Sequence, residues 1–111
     1  AMQCDVSDSE QVETCFDSVL ADFGRVDGCF ANAGIPGGGP HFDELPEEDW
    51  RRMMSVNLDG VYYTFKTAAS HMRKRAEAGN PGGRLVGTTS LSAWSGAPRS
   101  VHYASTKGAM N

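Results

Sequence analysis

The chain has 111 residues, of which 40% are hydrophobic and 22% charged, a balance that is ordinary for one small globular domain. The formal net charge is −4, which argues against nucleic acid or an anionic membrane as a partner, because both bind basic surfaces. No apolar run approaches the roughly 20 residues that a membrane-spanning helix needs, and the first residues do not resemble a secretory signal.

Cysteines and histidines are spread along the chain without the spacing of metal ligands. Cys4, Cys15 and Cys29 are odd in number, and we expect free thiols, buried or half-buried, in a reducing compartment. No metal site is predicted, and the expected location is the cytoplasm.

Hydrophobic periodicity and capping residues predict alternating strands and helices. Ser7 and Glu10 fit a capping box at the start of the first helix, and Gly24 suits its end. In chain order, the predicted elements are the tail of a strand at 1–6, a helix at 8–23, a buried strand at 26–31, helices at 46–55 and 58–78, a strand at 84–90 and a helix around Tyr103.

The sequence is less informative about the roles of three further sites along the chain. The loop at 35–40, IPGGGP, has too many glycines and prolines for regular structure, and it either flanks a pocket or is a plain surface loop. Trp94 either walls a substrate pocket or packs in the core. The cations at 73–75 complement the negative end of the long helix and are predicted to form a solvated face.

A pair of residues near the end of the chain suggests acid–base chemistry. Tyr103 and Lys107 are four residues apart in YASTK, so a helix would place both side chains on one face. An ammonium about 4 Å from a phenol, at an effective dielectric of roughly 20, favours the phenolate by about 4 kcal/mol. Such a tyrosine would exchange a proton with a carbonyl or alcohol oxygen near neutral pH, and Ser90 would give that oxygen a second hydrogen bond.

Three further segments precede this pentapeptide: VDGCFANAG at 26–34, SVNLDG at 55–60 and GRLVGTTS at 83–90. Together with YASTK they resemble the short-chain dehydrogenase/reductase family, over nearly the whole chain. The resemblance implies that Tyr103 is the acid/base and that Lys107 supports it and binds the nicotinamide ribose. It also implies that the helix is irregular at Asn57, where a freed carbonyl holds a water for proton relay. The implied catalytic set is Asn57, Ser90, Tyr103 and Lys107.

The resemblance further implies NAD or NADP as the cofactor. Asp5 matches the acid that contacts the adenine end, with a turn-forming aspartate as the alternative reading. The family more often has asparagine where Ala31 stands, but Asn32 is kept. The implied cofactor-binding residues are Asp5, Val6, Asn32, Ala33, Gly34, Tyr103 and Lys107.

The implied fold class is α/β, a partial doubly wound Rossmann-type parallel sheet in three layers, truncated at both ends. The family's glycine-rich turn, which holds the pyrophosphate, is not encoded in these residues. We therefore expect residues 1–111 to be the central part of a single NAD(P)-binding domain, with only two complete parallel strands. Alone, this segment is expected to be marginal or unfolded, and to bind dinucleotide weakly.

The function that the resemblance implies is an NAD(P)-dependent oxidoreductase acting on a small-molecule carbonyl or alcohol. The alternatives are a nucleotide-sensing protein without turnover and a dimerisation fragment of the same fold. Because the long helix at 58–78 carries a second, partly apolar set of side chains, the full-length protein is expected to be a homodimer or homotetramer.

Overall fold

Helices and strands alternate along the chain, as the periodicity predicts. A computed structural model describes residues 1–111. Its regular elements are helix α1 (Ser9–Phe23), strand β1 (Gly28–Ala31), a 3₁₀ turn (Phe42–Glu44), helix α2 (Glu47–Met54), a π turn (Ser55–Asp59), helix α3 (Gly60–Glu77), strand β2 (Arg84–Gly87), the short helix α4 (Ser92–Ser95) and helix α5 (Val101–Ala109). None of these helices is long and apolar enough to cross a membrane.

The two strands form a parallel sheet in which Gly28 pairs with Arg84 and Ala31 with Gly87. The prediction of two complete parallel strands is confirmed, although both are shorter than predicted. The prediction that the first of them is buried is only half right, because Ala31 is buried whereas Phe30 is exposed. α3 packs against both strands. The sheet has only two strands, and the helices leave part of it uncovered.

The first six residues form no strand, so that prediction is wrong. A strand needs a hydrogen-bonded neighbour, and the single ladder of this sheet joins β1 to β2. The segment instead lies against α1, where the Asp5 amide donates to Gln11 Oε1 over 3.0 Å. Val6 packs against the start of α3, where a Cβ added at Gly60 would lie 2.8 Å from Val6 Cγ2.

Helix α1 begins one residue later than predicted, and its N-cap is Asp8 rather than Ser7. Asp8 Oδ1 accepts hydrogen bonds from two backbone amides of the first turn, over 2.9 and 3.3 Å. The capping box is wrong because Ser7 Oγ is used elsewhere: it donates to Asp5 Oδ1 over 2.7 Å. Gly24 closes the helix as predicted, with a φ of 75° in the left-handed region.

Helices α2 and α3 are continuous through the π turn between them. Within this turn the Gly60 amide bonds to the Ser55 carbonyl, five residues back instead of four. The resemblance implied an irregular helix at Asn57, and the structure has one there. The two helices predicted at 46–55 and 58–78 are therefore one interrupted helix.

Arg75 joins the end of α3 to both strands. Its guanidinium donates hydrogen bonds to the carbonyl groups of Val26 and Asn80, each over 3.0 Å, and to that of Gly82. It also donates to Asp27 Oδ1 over 2.7 Å, and the side chain is only 14% exposed. These contacts hold the loop that leads into β2 against the start of β1.

The prediction of a solvated face at 73–75 is thus wrong for one of its three residues. Arg73 and Lys74 are exposed, as predicted. Arg75 is not, because its planar fork of donors satisfies several backbone carbonyls at once. One of the three adjacent cations, Arg75, therefore has a structural role in joining the end of α3 to the strands.

Arg75→Met is expected to lower the free energy of unfolding by about 2–4 kcal/mol, because the backbone carbonyls around the guanidinium lose their donor. The measurement is urea denaturation of the protein. Arg73→Met is the matched control: this exposed arginine pairs with Glu77 over 2.7 Å, and its loss is expected to cost less than about 1 kcal/mol. Equal destabilisation by the two variants would contradict the role of Arg75.

Candidate active site

Helix α5 is anchored to the carboxyl end of β2 by its last turn. Lys107 is buried, and its Nζ donates to the Thr88 carbonyl over 2.6 Å. The Lys107 carbonyl in turn accepts a hydrogen bond from Thr89 Oγ1 over 3.1 Å. An ammonium is thereby held at the strand end without a carboxylate partner, which is uncommon for a buried lysine.

Tyr103 lies on the same face of α5 as Lys107, as the four-residue spacing predicts. The lysine Nζ is 5.7 Å from the centroid of the tyrosine ring. The half-buried phenol has a hydroxyl that forms no hydrogen bond within the protein. The structure thus brings a free phenol and an ammonium together at one end of the sheet.

Ser90 follows β2 after Thr88 and Thr89, and a neighbouring serine orients it. Ser90 Oγ accepts hydrogen bonds from the Ser92 amide over 3.2 Å and from Ser92 Oγ over 2.9 Å. Because both contacts use the oxygen lone pairs of Ser90, its own hydroxyl hydrogen remains available to donate. That is the property required of a group that stabilises a substrate oxygen.

Asn57 clamps the loop that follows β1. Its side chain is fully buried; Oδ1 accepts from the Ile35 amide over 2.8 Å, and Nδ2 donates to the Ile35 carbonyl over 2.9 Å. Nδ2 also lies 3.1 Å from Met53 Sδ. A Cβ added at Gly34 would lie 3.2 Å from Asn57 Oδ1, so a larger residue there would crowd the Asn57 amide. The side chain of Asn57 therefore holds the residue that follows the Asn-Ala-Gly turn, and it forms no hydrogen bond with Lys107.

The ends of the two strands are tied together beyond their last backbone pair. Thr88 Oγ1 donates to Asn32 Oδ1 over 2.7 Å. Through Thr88, the exposed Asn32 is connected to the carbonyl that holds Lys107. The turn after β1 and Lys107 on α5 are thus parts of one hydrogen-bonded arrangement.

Four of the predicted cofactor-binding residues divide into two groups. Val6, Asn32 and Ala33 line a small cavity of about 80 Å³ at the start of α3. Asp5 does not line it; its carboxylate accepts from the Ser7 hydroxyl and amide, and these hydrogen bonds hold the pKa of Asp5 below its ordinary value. The structure supports the turn-forming reading of Asp5 more directly than a ligand contact.

Sequence reasoning missed the three residues that position the candidates: Thr88, Ser92 and the backbone of Ile35. Their signals were weak but present. Thr88 follows directly on a predicted strand end, and Ser92 stands two residues after a candidate serine. The partner of Asn57 had no such signal, because it lies 22 residues away in the chain.

Solvent exposure decides the reading of Trp94 and that of the three cysteines. Trp94 is 78% exposed, so the core reading of this residue is wrong. The expectation of free, half-buried thiols is confirmed for Cys4, Cys15 and Cys29. Burial raises the pKa of the Cys29 thiol, which favours its neutral form.

Comparison with known proteins covers nearly the entire chain. The family described as short chain dehydrogenase matches residues 1–111. A putative short-chain type dehydrogenase/reductase of Mycolicibacterium smegmatis is 36% identical over 107 residues, which are 96% of this chain. Among solved structures, NAD⁺-bound xylitol dehydrogenase superposes over 96% of this chain with a TM-score of 0.87 and 33% identity. ElxO with NADP bound superposes over 98% with a TM-score of 0.88 and 35% identity.

The matched regions are only part of each relative. This chain spans 37% of the M. smegmatis protein, 39% of the xylitol dehydrogenase chain and 42% of the ElxO chain. The superpositions confirm the expected α/β class, a partial Rossmann-type fold. With every residue of the chain inside the family match, the conclusion is that this chain belongs to the short-chain dehydrogenase family.

Proposed function

We propose that this chain is the central part of one catalytic domain, in a longer oxidoreductase that interconverts a small-molecule carbonyl and alcohol. The observation that carries the proposal is the group of side chains at the strand ends. A phenol with a free hydroxyl, a buried ammonium and a serine with a free hydrogen lie on adjacent segments. This combination can hold an oxygen atom and move a proton to or from it.

In the direction of reduction, Tyr103 gives its hydroxyl proton to the substrate oxygen as that oxygen becomes an alcohol. Ser90 donates a hydrogen bond to the same oxygen and so fixes the carbonyl in place. Lys107 stabilises the phenolate that remains, because opposite charges attract strongly in a half-buried site. In oxidation the same proton moves the other way, from alcohol to phenolate.

The described residues fit a nicotinamide dinucleotide as the cofactor. Val6 and Ala33 line the cavity beside α3, and the Asn-Ala-Gly turn lies where ligands bind parallel sheets, beyond the carboxyl ends of the strands. NAD and NADP are each supported by a related structure that holds one of them. When bound, this cofactor supplies or accepts the hydride.

Each residue near this cofactor is assigned a proposed role. Asn32, Ala33 and Gly34 would border the dinucleotide, and Lys107 would bind the ribose hydroxyls. Asp5 would reach the adenine end with the carboxylate oxygen that Ser7 leaves free. Asn57 would hold the turn in place through Ile35, with its backbone carbonyl serving the proton relay.

The direct experiment is an assay of the full-length protein that carries this chain. We expect loss of nicotinamide absorbance when NADH or NADPH is mixed with a panel of small ketones and aldehydes. A nucleotide-sensing protein would instead bind the dinucleotide, as measured by calorimetry, without turning over any carbonyl. Binding without turnover across the panel would therefore favour the alternative.

Ser90→Ala is expected to lower kcat about 10²–10³-fold, the usual effect of removing one donor to a developing oxyanion. Ser92→Ala is expected to lower kcat by less, because it leaves the donor in place and removes only its orientation. Ser105→Ala is the matched control on α5: this exposed hydroxyl donates to the Val101 carbonyl, away from the strand ends. Steady-state kinetics with one substrate at saturating cofactor compares all three, and a Ser90→Ala enzyme as active as the control would remove Ser90 from the mechanism.

We further propose that the full-length protein assembles through α3. Tyr62 is exposed and Tyr63 is half-buried, with their rings 5.6 Å apart, and Lys66 Nζ lies 5.6 Å from the Tyr62 ring centroid. Exposed aromatic rings of this kind are typical of subunit contacts. Sedimentation at micromolar concentration is expected to show a dimer or tetramer, and Tyr62→Glu is expected to shift it toward the monomer. A strictly monomeric wild-type protein would contradict this proposal.

A further inference from the structure

His102 is a buried polar residue that the proposed reaction does not use. It is 4% exposed, and its Nδ1 is the one buried side-chain nitrogen or oxygen in the chain without a hydrogen-bond partner. Its Nε2 also forms no hydrogen bond within the protein but is not enclosed in this way. We place a ring N–H on Nε2 rather than leaving the only one on Nδ1, because a buried unpaired N–H is less tolerable than a buried lone pair. The ring then presents an N–H donor at the protein surface.

His102 is one of the residues that line a cleft of about 330 Å³ between the segments 40–45 and 98–102. Two further basic residues line this cleft, His41 and Arg99, and the Arg99 Nη2 atom is 3.4 Å from His41 Nε2. No acidic side chain lines it, although the chain as a whole has a net charge of −4. The basic lining is therefore a local feature that an anion would complement.

The other cavity beside His102 does not share this character. Asp49 and Arg52 both line it, so neither sign of charge is favoured there. Only the cleft that contains Arg99 has charged side chains of a single sign in its lining.

The backbone and the walls of the cleft add two independent observations. Arg99 is the only residue other than glycine with a positive φ, at 56°, a conformation that L-residues rarely adopt and that recurs at ligand clamps. The remaining walls include Pro40, Phe42 and Leu45, which are apolar. A donor-rich end beside apolar walls fits a ligand with a carboxylate on an apolar body better than it fits inorganic phosphate.

The cleft lies close to the proposed reaction site. Gly37, in the same loop as Pro40, packs against α5: a Cβ added there would lie 2.7 Å from Tyr103 Cβ and 2.9 Å from Ser100 Oγ. We propose that His102, Arg99 and His41 form a subsite for an organic carboxylate. This subsite goes beyond the proposed function and does not depend on which reaction the protein performs.

The test is a titration of the full-length protein with benzoate, and separate titrations with benzamide and with inorganic phosphate serve as comparisons. Binding is monitored through the nuclear magnetic resonance signals of the histidine ring nitrogens. Benzoate is expected to bind saturably and to shift the ring signals of His41 and His102, but not that of His71, which lines a different cavity. Benzamide, which has the same apolar body and no charge, is expected to bind at least about tenfold more weakly. Equal binding of the two, or no saturable shift, would overturn the proposal, and tighter binding of phosphate would overturn the ligand class.

Arg99→Gln is expected to weaken benzoate binding about tenfold or more, since the loss of a charge-assisted hydrogen bond typically has that effect. Arg73→Gln is the matched control, because this arginine is exposed on α3 and pairs with Glu77. Unchanged benzoate affinity in Arg99→Gln would overturn the assignment. The binding readout needs no turnover, so its failure is distinguishable from failure of the proposed reaction.

A second arm identifies the source of the carboxylate. If it belongs to the substrate, Arg99→Gln is expected to raise KM for 4-formylbenzoate and leave KM for benzaldehyde unchanged. If it belongs to a separate effector, benzoate is expected to change kcat/KM for benzaldehyde in the wild type and not in Arg99→Gln. Either result supports the subsite, and the absence of both effects in an active enzyme would overturn it.

Discussion

Tyr103→Phe is expected to lower kcat by at least about 10²–10⁴-fold in the full-length protein, with dinucleotide affinity nearly unchanged. The phenol is the only group at the strand ends with a free hydroxyl next to a buried ammonium, so its removal takes away the proton donor. The ring itself remains, which keeps the packing of α5 and the contact with Gly37. Steady-state kinetics and calorimetric titration with NAD and NADP measure the two quantities separately.

The matched control for this variant is Tyr62→Phe, which removes a phenol hydroxyl from an exposed residue of α3. It is expected to retain wild-type kcat. Wild-type turnover in Tyr103→Phe would exclude this residue from the reaction. Dinucleotide binding with no turnover in the unmodified protein would instead point to the sensing alternative, so the two failures are distinguishable.

Asn57→Leu is expected to lower the free energy of unfolding by about 2–4 kcal/mol and to weaken dinucleotide binding. The substitution keeps a side chain of similar size in a fully buried position but removes both hydrogen bonds to Ile35. The part-buried amide and carbonyl of Ile35 would then lose their partner, which is the costly way to lose a hydrogen bond. The Asn-Ala-Gly turn would also lose the clamp that holds it beside the strand ends.

Urea denaturation and calorimetric titration with NAD and NADP test both parts of this prediction. Asn80→Leu is the matched control, because the Asn80 side chain is exposed and forms no hydrogen bond. It is expected to change neither stability nor affinity appreciably. An Asn57→Leu protein as stable as the control would show that the clamp contributes little to the fold.

Several features of this protein could be predicted from the sequence, either from local backbone geometry or from the order of the motifs. The spacing of Tyr103 and Lys107 predicts one helical face because the helix repeat is set by backbone geometry alone. Gly24 ends α1 in the left-handed conformation that glycine adopts at no steric cost. The parallel pairing of β1 with β2 followed from the order of motifs, through the family resemblance.

It was harder to predict which of several neighbouring polar side chains forms a given hydrogen bond. Ser7 and Asp8 are both good N-caps, and a carboxylate two residues upstream determines which of them is used. Arg75 sits within a run of cations, yet only its position at the end of α3 brings the Val26 carbonyl, which is distant in sequence, within its reach together with that of Asn80. Each outcome depends on which partner is nearest in space, and sequence spacing does not report that.

The sequence by itself determined the family, the alternation of helices and strands, and the residues that we propose for the acid–base chemistry. The tertiary structure decided how those residues are held: Lys107 by a strand-end carbonyl, Ser90 by Ser92, and Asn57 by the backbone of Ile35. It also decided that His102 is buried beside a basic cleft, which no local pattern indicated. The reason is that catalytic residue types follow from chemistry and helix geometry, whereas their hydrogen-bond partners follow from long-range packing, which brings together segments that are far apart in the chain.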